Sequence, residues 1–286
     1  MNFLSKGVVS GIAAALSFSL MILFVKLAKG IPAQETIFFR SIFTLIASVI
    51  VLKQQGLSIW GQKENKIFLL GRGLAGYVAL SAYFFSVREL PIAVASLVQY
   101  MSPVFSAIFA FLFLREDSSF RQWLCLLVGF IGIGFISGVI PNGNLNTSTN
   151  GVYWISCLFS AILSGVAYVF VRKLTTLKES PEVIIFYFPL VSIPFSLVST
   201  INNWVLPSFN QWIYLLGVCV YSYLGQIFLT YSLKMERTAA ATNTLYLGSV
   251  FATIWGISFL SEIPSWNFYI GALLIIGCQL LFGRKK

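Results

Sequence analysis

Long apolar runs alternate with short polar connections along the whole chain. Each run is about 20 residues long, which is the length an α-helix needs to cross the hydrocarbon core of a bilayer. The connections contain turn residues, as in Gly30-Ile31-Pro32 and Pro141-Asn142-Gly143. We therefore predict an all-α polytopic membrane protein with ten transmembrane helices. The runs lie near 7–27, 33–52, 67–87, 92–114, 120–140, 151–171, 183–201, 211–233, 239–260 and 266–283.

Composition excludes the soluble alternatives. The 286 residues are 58% hydrophobic and only 10% charged, whereas a soluble domain carries about 25% charged residues. An intrinsically disordered chain is excluded as well, because its apolar content would be far lower. Four cysteines lie inside apolar runs without ligand-like spacing, so we expect buried thiols and neither disulfides nor a metal. They are Cys125, Cys157, Cys219 and Cys278.

The basic residues predict the orientation in the membrane. A net charge of +10 could indicate nucleic-acid binding, but Lys and Arg are spread over the connections and form no single patch. Fourteen of them lie in the two terminal segments and the alternate connections on the same side, against three (Lys26, Lys29 and Arg88) on the opposite side. By the positive-inside rule, both termini are cytoplasmic. We expect a multi-pass protein of the cytoplasmic membrane with no nucleic-acid partner.

The chain also repeats itself with an offset of 146 residues. The stretch RELPIAVASLVQYMSPVFSAIFAFLFLRE from Arg88 aligns with KMERTAAATNTLYLGSVFATIWGISFLSE from Lys234. Each repeat holds five spans, and because five is odd the second copy enters the membrane from the other side. We predict two inverted five-helix repeats, over residues 1–141 and 151–286, in one membrane domain; this architecture lets a central site face either surface. Matched pairs include Tyr77/Tyr223, Tyr100/Tyr246, Glu116/Glu262 and Lys26/Arg172, while Glu35 reaches Glu182 with an offset of 147.

These motifs resemble a known family. The pattern -LP-A-AS--Y-SPVFSA---FLFL-E-, repeated as -RTAAAT---LGSVFA----FL-E-, is similar to EamA-type members of the drug/metabolite transporter superfamily over essentially the whole chain. The family often has Gly before the glutamate, where this chain has Arg115 and Ser261, and Ser249 stands where the first copy has Pro103. The resemblance implies a secondary transporter whose central cavity is lined by the first, third, fourth, sixth, eighth and ninth helices.

Helical spacing gives candidate cavity residues independently. Polar and aromatic residues recur at i, i+3, i+4 and i+7 in the third, fourth, eighth and ninth runs, so each run carries one polar stripe. Polar groups at the bilayer midplane need partners from protein, water or substrate. Helix packing, interhelical hydrogen bonds and interfacial anchoring explain the same residues almost as well. The candidate substrate-binding residues are Tyr77, Ser81, Ser96, Gln99, Tyr100, Tyr223, Gln226, Thr242, Asn243 and Tyr246.

Charged residues within or beside the runs are candidates for gating. Lys26 and Glu35 flank the first outer connection, where their pairing could close the mouth; a solvated pair that contributes little is the alternative. Arg40 and Arg72 lie inside runs and can extend to the lipid headgroups, although bidentate recognition of a carboxylate is the alternative for Arg40. We take Lys26, Glu35 and Arg40 as the gating candidates. No carboxylate falls in the middle of a run, so uniport, exchange and coupling through a terminal glutamate stay open.

Transport is the function these features favour. An intramembrane enzyme would need a catalytic cluster or metal ligands, and the chain has no histidine, so we predict no catalytic residue and no cofactor. A cavity with Tyr, Gln and Asn side chains and few fixed charges suits a small neutral or zwitterionic metabolite. The resemblance implies that an amino-acid-like metabolite is exported, and the inverted repeats imply alternating access. Uptake or exchange of a nucleoside-type cofactor such as S-adenosylmethionine is the alternative, and a non-transporting membrane subunit is a third. The expected partners are the substrate and the lipid bilayer, with the chain a monomer or weak homodimer.

Overall fold

The computed structural model describes residues 5–99, 101–116 and 151–282, together with residues 120, 124, 127, 128, 131, 132 and 135. In this part of the chain every regular element is helical, and short 3-10 turns accompany the α-helices. The helices are α1 (Lys6–Leu27), α2 (Ala33–Gln54), α3 (Lys66–Glu89), α4 (Ile92–Gln99), α5 (Ser102–Leu114), α6 (Gly151–Thr176), α7 (Pro181–Thr200), α8 (Phe209–Met235), α9 (Thr238–Asn243), α10 (Leu247–Leu260) and α11 (Trp266–Phe282). The 3-10 turns are Lys63–Asn65, Ile201–Asn203 and Thr244–Tyr246.

The helices coincide with the predicted apolar runs wherever the chain is described. Seven helical stretches among the described residues are long and apolar enough to cross a membrane, so the chain is a multi-pass membrane protein. The fifth predicted run, 120–140, falls outside the described residues except for seven positions, all of them helical. Large apolar side chains cover the outside of the bundle; Ile155 is 72% exposed and Val198 is 75% exposed. Such a surface suits lipid rather than water.

Side-chain caps begin several of the helices. The Ser5 hydroxyl accepts a hydrogen bond from the N–H of Val8 at the start of α1, and Ser180 accepts one from Val183 at the start of α7. At α8, Ser208 and Gln211 form a reciprocal capping box. These caps satisfy N–H groups that have no partner within the helix, so each span starts at a defined residue.

The fourth and ninth predicted runs are each divided in two. In the fourth run, α4 ends at Gln99 and α5 begins with Pro103 in its first turn, where proline is compatible with a helix start. In the ninth run, the 3-10 turn Thr244–Tyr246 separates α9 from α10, although Ser249 stands where the first half has Pro103. The second division therefore forms without a proline. Both divisions lie at positions related by the offset of 146 residues.

The principal helix contacts join the N-terminal half of the chain to the C-terminal half. Helix α1 packs against α8, α3 packs against α6, and α2 packs against α7. Glycine permits the closest approaches: a Cβ atom on Gly165 of α6 would lie 2.9 Å from the backbone nitrogen of Ser106 on α5. Small residues at such crossings are the usual means of tight packing between membrane helices. The two halves thus share one interior, and a cavity lies within it.

Candidate substrate cavity

A cavity of about 110 Å³ lies between the helices and has room for several water molecules. Its wall includes residues from every one of the helices α1 to α8 and from the 3-10 turn Thr244–Tyr246. The first, third, fourth, sixth, eighth and ninth predicted spans all contribute, and α2 and α7 add one residue each. The polar and aromatic members of the wall are Phe18, Arg40, Arg72, Tyr83, Gln99, Ser102, Ser160, Ser164, Tyr168, Phe188, Gln226 and Thr230.

Corresponding positions of the two halves line this cavity together. The offset of 146 residues relates six pairs of wall residues, which together make up more than half of the wall. Three of the pairs join α1 to α6, and two join α3 to α8. The pairs are Phe18/Ser164, Met21/Ala167, Ile22/Tyr168, Leu80/Gln226, Tyr83/Leu229 and Gln99/Leu245. The cavity therefore lies where the two halves of the sequence meet.

Two buried arginines share one aromatic ring in the wall. The guanidinium carbon of Arg40 on α2 lies 4.9 Å from the centroid of the Phe188 ring, and that of Arg72 on α3 lies 5.4 Å from the same centroid. Arg40 is 2% exposed and Arg72 is 9% exposed. The Nε atom of each has no hydrogen-bond partner, and neither arginine pairs with a carboxylate of the described residues. The Phe188 ring supplies a cation–π contact but no negative charge.

Gly76 makes room for the Arg72 guanidinium. Gly76 follows Arg72 by one helical turn on α3, and a Cβ atom there would fall 2.3 Å from Nη1 of Arg72 and 2.9 Å from the Phe188 ring. A side chain of any size would displace the guanidinium, the ring or both. The arrangement of the two arginines and the ring therefore depends on glycine at this position.

The Gln99 side chain joins α4 to α6 at the cavity wall. Its amide nitrogen donates to the Ser164 hydroxyl at 2.9 Å, and its amide oxygen lies 2.9 Å from the Ser160 hydroxyl. Ser160 also lies 2.6 Å from the carbonyl oxygen of Ala79, and its single hydrogen serves one of these two acceptors. Gln226 on α8 also lines the cavity. It is 6% exposed, and its amide oxygen has no partner among the described residues.

Of the predicted substrate-binding residues whose side chains the structure describes, Gln99 and Gln226 line the cavity. Three others make contacts within the helix bundle. The Tyr77 hydroxyl donates to Gln34, Ser96 lies 3.5 Å from the Tyr83 hydroxyl, and Thr242 bonds to the carbonyl oxygen of Thr238 on its own helix.

Two further candidates lie outside the wall, and three cannot be placed. The Tyr223 ring packs edge-on against Phe43, and the Ser81 hydroxyl is buried without a partner. Tyr100 lies outside the described residues, as do the side chains of Asn243 and Tyr246. The predicted roles of these three residues stay predictions.

The predicted pairing of Lys26 with Glu35 is wrong. The Lys26 ammonium lies 3.0 Å from Oε1 of Glu262. Glu35 is fully buried, and its Oε2 atom accepts a hydrogen bond from the backbone N–H of Val205. The proximity of Lys26 and Glu35 along the sequence was misleading because Glu262 comes to the end of α1 from the other half of the chain.

The idea that Arg40 and Arg72 extend to the lipid headgroups is also wrong. Both side chains are buried and line the cavity. Their position within the apolar runs is compatible with contact to headgroups and with burial in the bundle. Which of the two occurs depends on the face of α2 or α3 that carries the arginine, and both arginines lie against Phe188 of α7. A charged residue within a membrane span is by default a functional candidate, and that rule would have selected both arginines. No comparable signal in the sequence marks Phe188, Ser160 or Ser164.

Two ion pairs lie outside the cavity, and they occupy equivalent positions in the two halves of the chain. Moving each residue of one pair by 146 positions, into the other half, gives the residues of the other pair. One joins Lys26 to Glu262; the other joins Arg172 to Glu116, with 2.9 Å between Nε and Oε1. In each pair a basic residue near the end of α1 or α6 meets a glutamate that follows α10 or α5. Arg172 additionally donates to the carbonyl oxygen of Leu233. Both pairs are largely shielded from solvent.

A membrane bundle with a partly polar cavity between corresponding positions of its two halves is the arrangement of many secondary transporters. The model of the EamA-like transporter family matches residues 5–138 and again residues 150–283. This chain belongs to the EamA-like transporter family. The family's two matches cover almost the whole chain and contain every residue of the cavity wall. Members of this family are transporters and not enzymes.

Several relatives of known name are similar over nearly the full length. The pseudopaline exporter CntI of Pseudomonas aeruginosa is 33% identical, and the alignment covers 100% of this chain and 99% of that protein. Human solute carrier family 35 member G1 is 26% identical over 96% of this chain and 77% of its own length. The S-adenosylmethionine uptake transporter of Rickettsia bellii is 23% identical over 91% of this chain and 87% of its own length.

A solved crystal structure shares the fold. Its TM-score is 0.67 with 20% sequence identity, and the match covers 94% of this chain and 97% of the other. At this identity the likeness concerns the fold alone. The helical arrangement of this EamA-like protein is therefore one that an experimental structure also shows.

Proposed function

We propose that this protein is a secondary transporter that exports a small, amino-acid-like organic metabolite across the cytoplasmic membrane. The observation that carries the proposal is the cavity between the helices, lined by Arg40, Arg72, Gln99 and Gln226 in the interior of a membrane bundle. Buried polar groups of this kind are costly in a membrane unless they are paired or serve a ligand or an ion, and the Nε atoms of Arg40 and Arg72 have no partner among the described residues. The similarity to a named exporter over the whole chain supports the direction of transport.

The proposed mechanism is alternating access by two inverted five-helix repeats, over residues 1–141 and 151–286, in a ten-helix bundle. Two observations support it. The offset of 146 residues relates six pairs of cavity residues. The same offset takes α1 to α6 and α3 to α8, so the contact between α1 and α8 is equivalent to the contact between α6 and α3. Rocking of one repeat against the other would expose the cavity first on one side of the membrane and then on the other.

The two equivalent ion pairs fit the two ends of such a pathway. With both termini in the cytoplasm, Lys26 and Glu262 lie on the external side, whereas Arg172 and Glu116 lie on the cytoplasmic side. Each pair joins the first helix of one repeat to the end of a helix in the other. We propose that opening toward either side breaks the ion pair on that side and keeps the other.

The orientation can be tested with reporter fusions in connections of known structure. The connection between α2 and the 3-10 turn at Lys63–Asn65, which contains Gly56, should report a cytoplasmic location. The connection between the turn Ile201–Asn203 and α8, which contains Pro207, should report an external one. Fusions at Asn144 and Lys286, outside the described residues, should be external and cytoplasmic respectively. The same location for Gly56 and Pro207 would contradict the proposed topology.

Counterflow in proteoliposomes tests transport itself. Vesicles holding a high concentration of one unlabelled metabolite should accumulate the same metabolite in radiolabelled form only if the protein is present. A panel of amino acids, dicarboxylates, nucleosides and S-adenosylmethionine samples the classes that the cavity favours. Accumulation of at least one compound is the expected result. A purified, folded protein that exchanges none of them would contradict transport of an amino-acid-like metabolite.

Uptake or exchange of a nucleoside-type cofactor is the second candidate. Aromatic side chains that could stack on a base line the cavity, namely Tyr83, Tyr168 and Phe188, and relatives named as S-adenosylmethionine uptake transporters match most of the chain. Labelled S-adenosylmethionine in the same counterflow assay separates the two candidates. Exchange of this compound with no exchange of amino acids or dicarboxylates would favour the second.

A further inference from the structure

The cavity carries an unbalanced positive charge. Among its described wall residues are the two arginines Arg40 and Arg72 and no Asp, Glu or Lys. The carboxylates that the structure does pair with cations lie in the two ion pairs outside the cavity, at Glu116 and Glu262. A guanidinium keeps its charge in proteins, so the wall brings two positive charges into the membrane interior without a counter-ion among the described residues of the wall.

Two like charges near one ring repel each other. Such repulsion is much stronger in a low-dielectric interior than in water, and a buried charge without a partner is among the costliest features a fold can hold. The Phe188 ring offsets part of this cost through its contacts with both guanidiniums. The Nε atom of each arginine has no hydrogen-bond partner among the described residues, so no hydrogen bond at Nε offsets the rest. An anion bound between the arginines would do so.

The arrangement is suited to a planar oxyanion. A guanidinium presents its N–H groups as a rigid fork that matches the two oxygens of a carboxylate, and stacking on an aromatic ring holds the fork in place. Arg40 and Arg72 come from different helices, and Gly76 leaves the space into which the Arg72 guanidinium turns. The remaining polar groups of the wall, such as Gln99 and Gln226, are neutral and can bind further parts of a ligand.

We propose that the substrate is an organic anion and that Arg40 and Arg72 bind its carboxylate. This inference rests on the proposed transport function and narrows it, because the expectation of a neutral substrate was based on a cavity with few fixed charges. A substrate with two carboxylates, or with one carboxylate and neutral polar groups, balances the cavity better than a neutral compound. A phosphate ester presents similar chemistry, and the experiment separates the two.

Thermal unfolding of the purified full-length protein in detergent tests the proposal. The probes are succinate, L-glutamate, citrate and glycerol 3-phosphate, each compared with sodium chloride at equal ionic strength. The matched neutral compounds carry an amide in place of every carboxylate, as succinamide does for succinate. We expect at least one carboxylate to raise the unfolding midpoint by several degrees, and its neutral counterpart to have no effect. Ligands that bind only the folded state stabilise it in proportion to the logarithm of their concentration.

Variants connect the response to the two arginines. Arg40→Gln combined with Arg72→Gln should abolish the carboxylate-dependent shift while leaving the midpoint without ligand unchanged or higher, because a repulsion has been removed. Arg88→Gln is the matched control, since Arg88 is an exposed residue at the end of α3, and it should keep the full shift. If the double variant is too unstable to purify, Arg40→Lys and Arg72→Lys singly should each reduce the affinity for the carboxylate at least tenfold.

Three results would overturn the proposal. They are no response to any carboxylate, a carboxylate response that persists in the double variant, and a response to glycerol 3-phosphate alone. Failure of this inference can be told apart from failure of the transport function. A protein that exchanges a neutral metabolite in counterflow, without competition from carboxylates, would be a transporter without the anion site proposed here.

Discussion

The Lys26 ammonium lies 3.0 Å from Oε1 of Glu262, and the other oxygen of that carboxylate accepts a hydrogen bond of 2.8 Å from the backbone N–H of Ile92. One carboxylate thus ties together the end of α1, the segment after α10 and the first residue of α4. Ile92 begins α4, so its N–H has no partner within the helix. Glu262 therefore holds the two halves of the chain together at one end of the bundle.

Reversing the charges of this pair should have a coupled effect on stability. We expect Lys26→Glu and Glu262→Lys to lower the free energy of unfolding individually, because each places like charges in contact in a largely shielded site. The double exchange should restore part of the loss, with a coupling energy of about 0.5–3 kcal/mol. The measurement is thermal unfolding of the four proteins in the same detergent.

The corresponding pair provides the control for that experiment. Arg172→Glu with Glu116→Arg should show coupling of the same sign, whereas Lys26→Glu combined with Glu116→Arg should show none, because those residues belong to different pairs. Additive effects in the Lys26–Glu262 cycle would contradict a direct interaction between the two side chains.

Replacing Ser261 with glycine should make the protein more stable to unfolding. Ser261 has a φ of 54° and Arg115, its counterpart in the first half, has a φ of 53°. Residues with a Cβ atom adopt this left-handed conformation at a cost of about 1–2 kcal/mol. Glycine avoids this cost but gives up part of the advantage, because its unfolded chain has more conformational freedom to lose on folding. We expect Ser261→Gly to raise the free energy of unfolding by about 0.5–1 kcal/mol. Thermal unfolding measures the change.

Ser261→Ala is the matched control, because it removes the same hydroxyl and keeps the Cβ atom. It should give no gain. Equal stabilisation by Ala and Gly would show that the backbone conformation is not the cause.

Much of the fold could be predicted from the sequence because membrane spans depend on local properties. A run of about 20 apolar residues crosses the bilayer whatever its neighbours are, and the described helices coincide with the predicted runs. The left-handed residues could also be anticipated, since the related family pattern often has Gly where this chain has Arg115 and Ser261. The conformation is the same at both positions, even though neither residue is glycine.

The cavity could be predicted only in part because the orientation of a side chain depends on distant helices. Spacing along one helix brought Gln99 and Gln226 onto polar stripes, and both line the cavity. Tyr77 lies on such a stripe too, but its hydroxyl donates a hydrogen bond to the side-chain oxygen of Gln34 on α2. The clustering of Arg40 and Arg72 requires Phe188 of α7, more than 100 residues further along the chain. No local pattern contains that information.

Gly76→Ala should weaken substrate binding without unfolding the protein. The added methyl group would fall 2.3 Å from Nη1 of Arg72, and the flexible end of the arginine can move away more readily than the backbone. We expect at least a tenfold loss of affinity for the carboxylate that stabilises the wild type. The measurement is the concentration dependence of the unfolding midpoint.

Gly277→Ala controls for the general effect of alanine in a membrane helix. Gly277 lies within α11, and nothing lies within 4 Å of the position that its Cβ would take. This variant should keep the affinity of the wild type. An equal loss in both variants would contradict the role assigned to Gly76.

Gln99→Glu should also weaken binding of a carboxylate. Glutamate retains the oxygen that faces Ser160 and can accept a hydrogen bond from Ser164, so the link between α4 and α6 is preserved. The new negative charge would balance one of the arginines and compete with the ligand for it. We expect more than a tenfold loss in affinity, measured by the same titration.

Gln34→Glu is the control for an added carboxylate outside the cavity. Gln34 accepts a hydrogen bond from Tyr77, which glutamate can also accept, and it does not line the cavity. Its affinity should stay close to that of the wild type. Unchanged affinity in Gln99→Glu would contradict the placement of the bound anion in this cavity.

The most direct test of the central claim asks whether the cavity opens to both sides of the membrane. Ala167 lies in the cavity wall on α6 and is 3% exposed; Ala161 lies on the same helix, is fully buried and packs outside the cavity beside Met101 and Val104. Ala167→Cys and Ala161→Cys are each treated with a membrane-impermeant thiol reagent from either side of oriented membranes. The wild type, with Cys157 and Cys219 buried, gives the background. Alternating access predicts modification of Ala167→Cys from both sides, protection by the transported substrate, and none of Ala161→Cys. Modification from one side only, or from neither, would contradict transport through this cavity.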